Sequence, residues 1–162
     1  MRIRNAGRSL ARALALPTPF DVNELCRRVG LTRRRPIVLA ALPLASAGPC
    51  GLWLAADAVD LICYEQQTSY LHQQHIVLHE LGHILCGHGE PAAVGELVPQ
   101  LGANALKIML ARQHASHLTS QERDAELFAY TVMDRAGRVA VPMVDPDRPD
   151  GILDRLGRAL GE

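Results

Sequence analysis

A chain of 162 residues with a formal net charge of zero, 48% apolar residues and 4% aromatic residues suits one domain with a real hydrophobic core rather than several domains. No run approaches the roughly 18 uncharged apolar residues of a membrane-spanning helix, which argues against a transmembrane protein. The charge is unevenly laid out: nine arginines against Asp21 and Glu24 precede Pro36, a surplus of seven positive charges that the rest of the chain balances. Such a basic arm can meet nucleic acid or an acidic partner, but the commoner outcome is a solvated face that pairs with acids of the same protein.

Met1 to Pro19 is Arg-rich and holds no acid before Asp21. Arg8 and Arg12 interrupt its apolar part and no adequate hydrophobic region precedes a small-residue cleavage site, so the stretch reads as a retained amphipathic helix rather than a leader. Asp21 to Val29 reads as a second short helix, capped by Asp21, with Val22, Leu25, Cys26 and Val29 on its apolar side and Gly30 as its stop. With Leu31-Thr32-Arg33-Arg34-Arg35 behind it, this helix invites comparison with the first half of a helix-turn-helix. A recognition helix starting at Thr32 would have to run through Pro36, which lacks an N–H and clashes with the preceding turn, so direct nucleic-acid binding is not expected.

Pro36 to Leu44, Gly51 to Ala55 and Leu61 to Glu65 are rich in Val, Ile, Leu and Ala between turn signals and predict three short strands, the last two as an antiparallel hairpin. The four cysteines, Cys26, Cys50, Cys63 and Cys86, form no C-x-x-C pair. Without an export signal they are expected to be reduced, mostly buried thiols of a cytoplasmic protein.

Tyr70 to Cys86 is the most informative stretch. Val77, Leu78, Leu81, Ile84 and Leu85 follow the spacing of one buried helical stripe, while His72, Ile76, His79 and His83 share another face. Thr68 and Ser69 are N-cap candidates and Gly87, Gly89 and Pro91 are stop signals. Within this helix His79-Glu80-Leu81-Gly82-His83 is an H-E-x-x-H pattern. Histidines four apart sit one above the other, so both rings can reach one Zn²⁺, and Glu80 at the rim can act as a base toward water there without being a ligand.

Glu90 to Gly95 then reads as a loop, residues 97 to 111 as a helix weakened by Gly102, and His114 and His117 as parts of a polar connection. Gln121 to Arg135 predicts a helix with Ala125, Phe128, Ala129, Val132 and Met133 inward. A weak strand pattern follows from Arg138 to Val141, and the Pro- and Asp-rich stretch to Asp150 reads as a strap before a short helix carrying Ile152, Leu153, Leu156 and Leu160.

A catalytic zinc needs a third protein ligand and an open position. The metzincin register requires Gly at 86 and His at 89, where this chain has Cys86 and Gly89, so a carboxylate from the later helix is the better source. Glu122 and Glu126 lie one turn apart beside the small residues Ala125 and Ala129 and both qualify. Glu122 has a competing role, since Thr119-x-x-Glu122 matches a capping box.

His79-Glu80-Leu81-Gly82-His83 followed by Glu122-x-x-Ala125-Glu126-x-Phe128-Ala129 resembles the ImmA/IrrE family of zinc metallopeptidases, over roughly Gly51 to Met133. In that family the later helix carries E-x-x-A-(N/D)-x-F-A and its first Glu is the third metal ligand, which the resemblance places at Glu122. This chain departs from the pattern in having Glu126 for the usual Asn or Asp, and Tyr130-Thr131-Val132-Met133 where Leu-Met-Pro often follows. The resemblance implies an intracellular, gluzincin-like zinc endopeptidase that cleaves a regulatory protein, in particular a helix-turn-helix transcriptional repressor, in stress or mobile-element control. The alternative is a toxin-like or regulatory zinc-binding module that grips its partner without proteolysis.

The expected architecture is a single α+β domain, mostly helical and zincin-like, with a small antiparallel sheet packed against the H-E-x-x-H helix. Its parts are basic N-terminal helices (1–35), the sheet (36–65), the metal helix (66–90), the third-ligand helix (119–136) and a C-terminal strap and helix (137–162). Expected site residues are His79, His83 and Glu122 for zinc, Glu80 for catalysis, and Glu126 as alternative ligand or as holder of a histidine ring N–H. Tyr64, Tyr70, His75 and His117 are candidate donors to an oxyanion.

Overall fold

The computed structural model describes residues 5–44, 50–55, 58–88, 92–93 and 119–139. In chain order these form α1 (Ala6–Ala13), α2 (Val22–Arg33), β1 (Ile37–Leu42), β2 (Gly51–Ala55), β3 (Asp60–Glu65), α3 (Tyr70–Cys86), β4 (Ala92–Ala93) and α4 (Thr119–Val139). The expected helix at 97–111, His114, His117 and the C-terminal strap and helix from 140 onward lie outside the described residues.

Local chemistry explains where the helices begin and end. Asp21 caps α2 by accepting from the N–H groups of Asn23 at 2.7 Å and Glu24 at 3.1 Å, which satisfies two of the donors that a helix start leaves unpaired. The helix does not stop at Gly30 as expected. It runs to Arg33, and Arg34 (φ 54) takes the left-handed position that ends it. Gly30 instead leaves room for the chain to fold back over the helix, its missing Cβ facing Ile37 N at 3.0 Å. Ser69 caps α3 through the His72 N–H and Gly87 (φ 66) closes it, so the span expected from the sequence is the one found. α4 extends past Arg135 to Val139, with Ala136 buried on the inner face, so Arg138 and Val139 are helical rather than the start of a strand.

The sheet has the order β1-β3-β2-β4. The β2–β3 hairpin is antiparallel as expected, with Trp53 opposite Ile62. The sheet as a whole is mixed, not antiparallel, because β1 lies parallel to β3 with Ile37 opposite Asp60. The register has a visible cause at the start of both strands. Asp60, 1% exposed, accepts from Arg33 Nη1 at 2.7 Å, Arg35 Nε at 2.9 Å and Trp53 Nε1 at 3.2 Å, and its N–H donates to the Pro36 carbonyl. The turn from α2 into β1 is thereby tied to the first residue of β3, and the two strands leave that point in the same direction. β4, in the stretch expected to be a loop, adds a short parallel pairing to Leu54 and Ala55.

The main core joins the helices to one face of the sheet through Leu25, Trp53, Ile62, Leu78, Leu81, Phe128 and Val132. A second apolar cluster of Leu44, Leu52, Leu54 and Cys63 lies apart from it. α1 packs on α4: a Cβ on Gly7 would stand 1.8 Å from the Asp124 carbonyl oxygen, and Arg135 Nη1 donates to the carbonyls of Ala11 and Leu14. Part of the basic arm is used internally, Glu24 pairing with Arg27 and Arg28, and Asp60 with Arg33 and Arg35. None of the four cysteines is in a disulfide, and burial pushes the thiols of Cys26, Cys63 and Cys86 up to about 12, 11 and 11. No helix among the described residues is long and apolar enough to cross a membrane.

Candidate metal centre

The site forms where α3 crosses α4, and the crossing is close because Gly82 faces Ala125. A Cβ on Gly82 would stand 3.0 Å from Ala125 Cα and 3.1 Å from its carbonyl oxygen. Helix axes ordinarily sit farther apart with larger residues between them. The short approach lets carboxylates on α4 reach the histidines on α3.

His79 Nε2 and His83 Nε2 are 3.1 Å apart, Glu122 Oε2 is 3.1 Å from His79 Nε2, and Glu122 Oε1 is 3.3 Å from His83 Nε2. Donor atoms about 2.0–2.1 Å from a tetrahedral ion stand about 3.3 Å from one another, close to these separations. Two imidazole nitrogens and a carboxylate thus converge on one point, His83 fully buried and His79 and Glu122 partly so. His79, His83 and Glu122 can hold a metal ion.

The charges respond to this crowding. Burial drives Glu122 upward, but hydrogen bonds to His79 and His83 and their charge hold its carboxyl well below the usual range. Burial pulls the His79 imidazole down, and Glu122, Glu80 and Glu126 more than offset that, leaving it raised. Each partner therefore favours a positive centre beside a carboxylate.

The two α4 carboxylates separate by geometry. Glu122 addresses the Nε2 atoms, whereas Glu126 Oε2 lies 3.0 Å from His79 Nδ1 and Glu126 Oε1 lies 3.1 Å from His75 Nε2. Glu126 therefore accepts from Nδ1 on the far side of His79, so that a metal displacing the other ring proton would meet the lone pair of Nε2. The Glu122 carboxylate turns to the histidines, as a ligand would.

Glu80 is 2% exposed and accepts a hydrogen bond from the Trp53 backbone N–H. The Glu65 N–H donates to the Cys50 carbonyl, and antiparallel pairing alternates, so the Trp53 N–H is directed away from β3 and is left for Glu80. Gly51 admits the side chain there: a Cβ on it would lie 2.9 Å from Glu80 Oε1. Burial pushes the Glu80 carboxyl up to about 7, His79 and the Trp53 N–H pulling against it and Glu122 adding to it.

Of the candidate oxyanion donors, His75 is at the site, held by Glu126 and packed against Tyr130 with ring centroids 5.1 Å apart. Tyr64 and Tyr70 line a separate small cavity with Gln73 and Val77. Tyr70 is nine residues from His79 on the same helix, about 13 Å along its axis. His117 lies outside the described residues.

Sequence reasoning missed His88, 7% exposed, whose Nδ1 lies 3.2 Å from His83 Nδ1. A signal was present in the Gly87-His88 pair. A glycine closing a helix in the left-handed conformation turns the next residue back over the last turn, and here that residue is a histidine. Tyr130, 60% exposed beside His75, and the Trp53 N–H carry no sequence signal of their own. Comparison of the chain with family models, curated proteins and solved structures finds no match.

Proposed function

We propose that this protein is a zinc metallo-endopeptidase whose metal is held by His79, His83 and Glu122 and whose base is Glu80. The observation that carries the reading is the convergence of the two Nε2 atoms and the Glu122 oxygens at 3.1–3.3 Å. A set of two imidazoles and one carboxylate is the ligand set of catalytic rather than structural zinc sites. The resemblance to ImmA/IrrE peptidases supports the same assignment, with a zincin-like fold.

When bound, zinc supplies a Lewis acid and makes water a far stronger acid than in bulk. The protein's own groups do the rest. Glu126 fixes the His79 ring by taking its Nδ1 proton in a hydrogen bond. Glu80, shielded from solvent and with an affinity for protons near neutrality, takes a proton from the attacking water and delivers it to the departing amine nitrogen. Its burial disfavours the charged carboxylate unless a cation is near, and a module that only gripped its partner would have no use for such a group.

The substrate that fits the resemblance is a regulatory protein inside the cell, a helix-turn-helix repressor in the first instance. The test is to incubate the zinc-loaded protein with helix-turn-helix repressors, beginning with any encoded beside its gene, and follow fragments by mass spectrometry. Wild type should cleave it, and Glu80→Gln should retain zinc and cleave nothing, since the amide keeps the shape but accepts no proton. Equal cleavage by both proteins refutes the mechanism, and stable binding without cleavage by wild type favours the gripping module.

A further inference from the structure

We propose that His88, with the Asp124 carboxylate beside its Nε2, is a positioning residue that accepts from His83 Nδ1 when zinc takes the His83 Nε2 lone pair. The inference rests on the zinc reading above and assigns a role to residues outside the H-E-x-x-H pattern.

The contact is produced by the way α3 ends. Gly87 turns left-handed, its N–H bonds back to the Ile84 carbonyl at 3.3 Å, and the His88 N–H bonds to the His83 carbonyl at 3.0 Å. This is the six-to-one and five-to-two pairing of a Schellman motif, in which the residue after the glycine lies against the residue five before it. That contact is commonly hydrophobic. Here it joins two imidazoles, His83 0% and His88 7% exposed, with ring centroids 5.3 Å apart and Nδ1 to Nδ1 3.2 Å.

One proton lies between those two nitrogens, and its owner decides what His83 can do. If His88 Nδ1 donates, His83 must carry its own proton on Nε2, in the space between His79 Nε2 and Glu122 where a ligand lone pair is required. If His83 Nδ1 donates, Nε2 is bare and His88 carries its proton on its own Nε2. Asp124 Oδ2 stands 4.0 Å from His88 Nε2, and a carboxylate there favours a proton on that atom and disfavours a lone pair facing it. Without a metal, Glu122 Oε1 at 3.3 Å draws a proton to His83 Nε2; with zinc on that atom the second arrangement is the one left, and the negative charge of Asp124 favours it. Glu126 acts on His79 in the same way, so each zinc histidine has its Nδ1 held by a different partner.

The test compares wild type, His88→Leu and His88→Asn by zinc competition against a chromophoric chelator, with circular dichroism of the metal-free proteins as a fold control. His88→Leu strands the His83 Nδ1–H and should weaken zinc binding by about 10- to 100-fold, as for other lost outer partners. His88→Asn places an amide oxygen near the former Nδ1 and should lose less than about tenfold. Nitrogen-15 spectra of zinc-loaded wild type should show a slowly exchanging proton on His83 Nδ1 with coupling across to His88 Nδ1, a readout that needs no variant to fold. Tight zinc binding by wild type without that coupling, or with equal affinity in His88→Leu, overturns the role of His88 alone. Failure of wild type to bind zinc overturns the metal reading and this inference with it.

Discussion

Glu122 and Glu126 sit one turn apart on the same helix, and exchanging each for glutamine separates the proposed ligand from its proposed support. Glu126 touches His79 at Nδ1 and is 39% exposed in its side chain. A glutamine there can still accept from that N–H with its amide oxygen. The expected loss is at the low end of the outer-partner range, about tenfold or 1.4 kcal/mol. Glu122 faces both Nε2 atoms, so its exchange removes one of three donors and the one negative charge among them. That loss should exceed about 100-fold, or 2.7 kcal/mol.

Melting experiments translate these affinities into stability by mass action. With free zinc at 100 times the wild-type Kd, wild type gains about 2.7 kcal/mol, Glu126→Gln about 1.4 kcal/mol and Glu122→Gln less than about 0.4 kcal/mol. Direct affinities from chelator competition must give the same order. A Glu126→Gln protein that loses zinc while Glu122→Gln keeps it would refute the assignment of the two carboxylates.

The crossing of α3 and α4 should be equally sensitive: Gly82→Val forces side-chain bulk against Ala125 and Phe128, lowering stability by about 1–3 kcal/mol and weakening zinc binding, and an unchanged affinity would contradict the close approach. Gly51→Ala puts a methyl 2.5 Å from Ile76 Cγ2 and 2.9 Å from Glu80 Oε1, so peptide hydrolysis should fall more than zinc affinity does, which kinetics beside chelator competition can read. Asp60→Asn should cost about 3 kcal/mol at neutral pH, the low end for one partner of a buried pair because Arg33 and Arg35 keep 28% and 30% side-chain exposure. The Asp60 carboxyl is raised by burial but brought net below its usual value by Arg33, Arg35 and Trp53. Its contribution is therefore full above the unfolded value near about pH 4 and lost as pH falls below it. Urea midpoints of wild type and Asp60→Asn should converge in acid, and a gap that stays constant from pH 7 to about pH 3 would exclude the ion pairs as its source.

What the sequence made legible was what local chemistry decides. α3 was readable end to end because Ser69, the apolar stripe and Gly87 all act within a few residues, and the same helix carries His79, Glu80 and His83 in fixed register. The direction of β1 was not readable, since it depends on Asp60 meeting Arg33 and Arg35 across 27 and 25 positions. Gly30 looked like a stop because glycine after an apolar stripe usually is one, yet its role is set by the returning chain. The different places of Glu122 and Glu126 were not readable either, since they depend on which nitrogens of His79 each carboxylate meets across 43 and 47 positions. His88 escaped notice because a search for ligands by spacing passes over a residue whose partner is a candidate ligand.

The docking of α1 on the outer side of α4 extends the site's influence to a helix that contributes none of its donors. Gly7 admits no side chain against the Asp124 backbone, and Arg135 ties the carbonyls of Ala11 and Leu14 to the far end of the same helix. A substitution at position 7 would push on the segment of α4 that carries Glu122, Asp124 and Glu126. In a mutational scan scored by loss of function, Gly7 would cluster with the proposed metal ligands although it touches none of them.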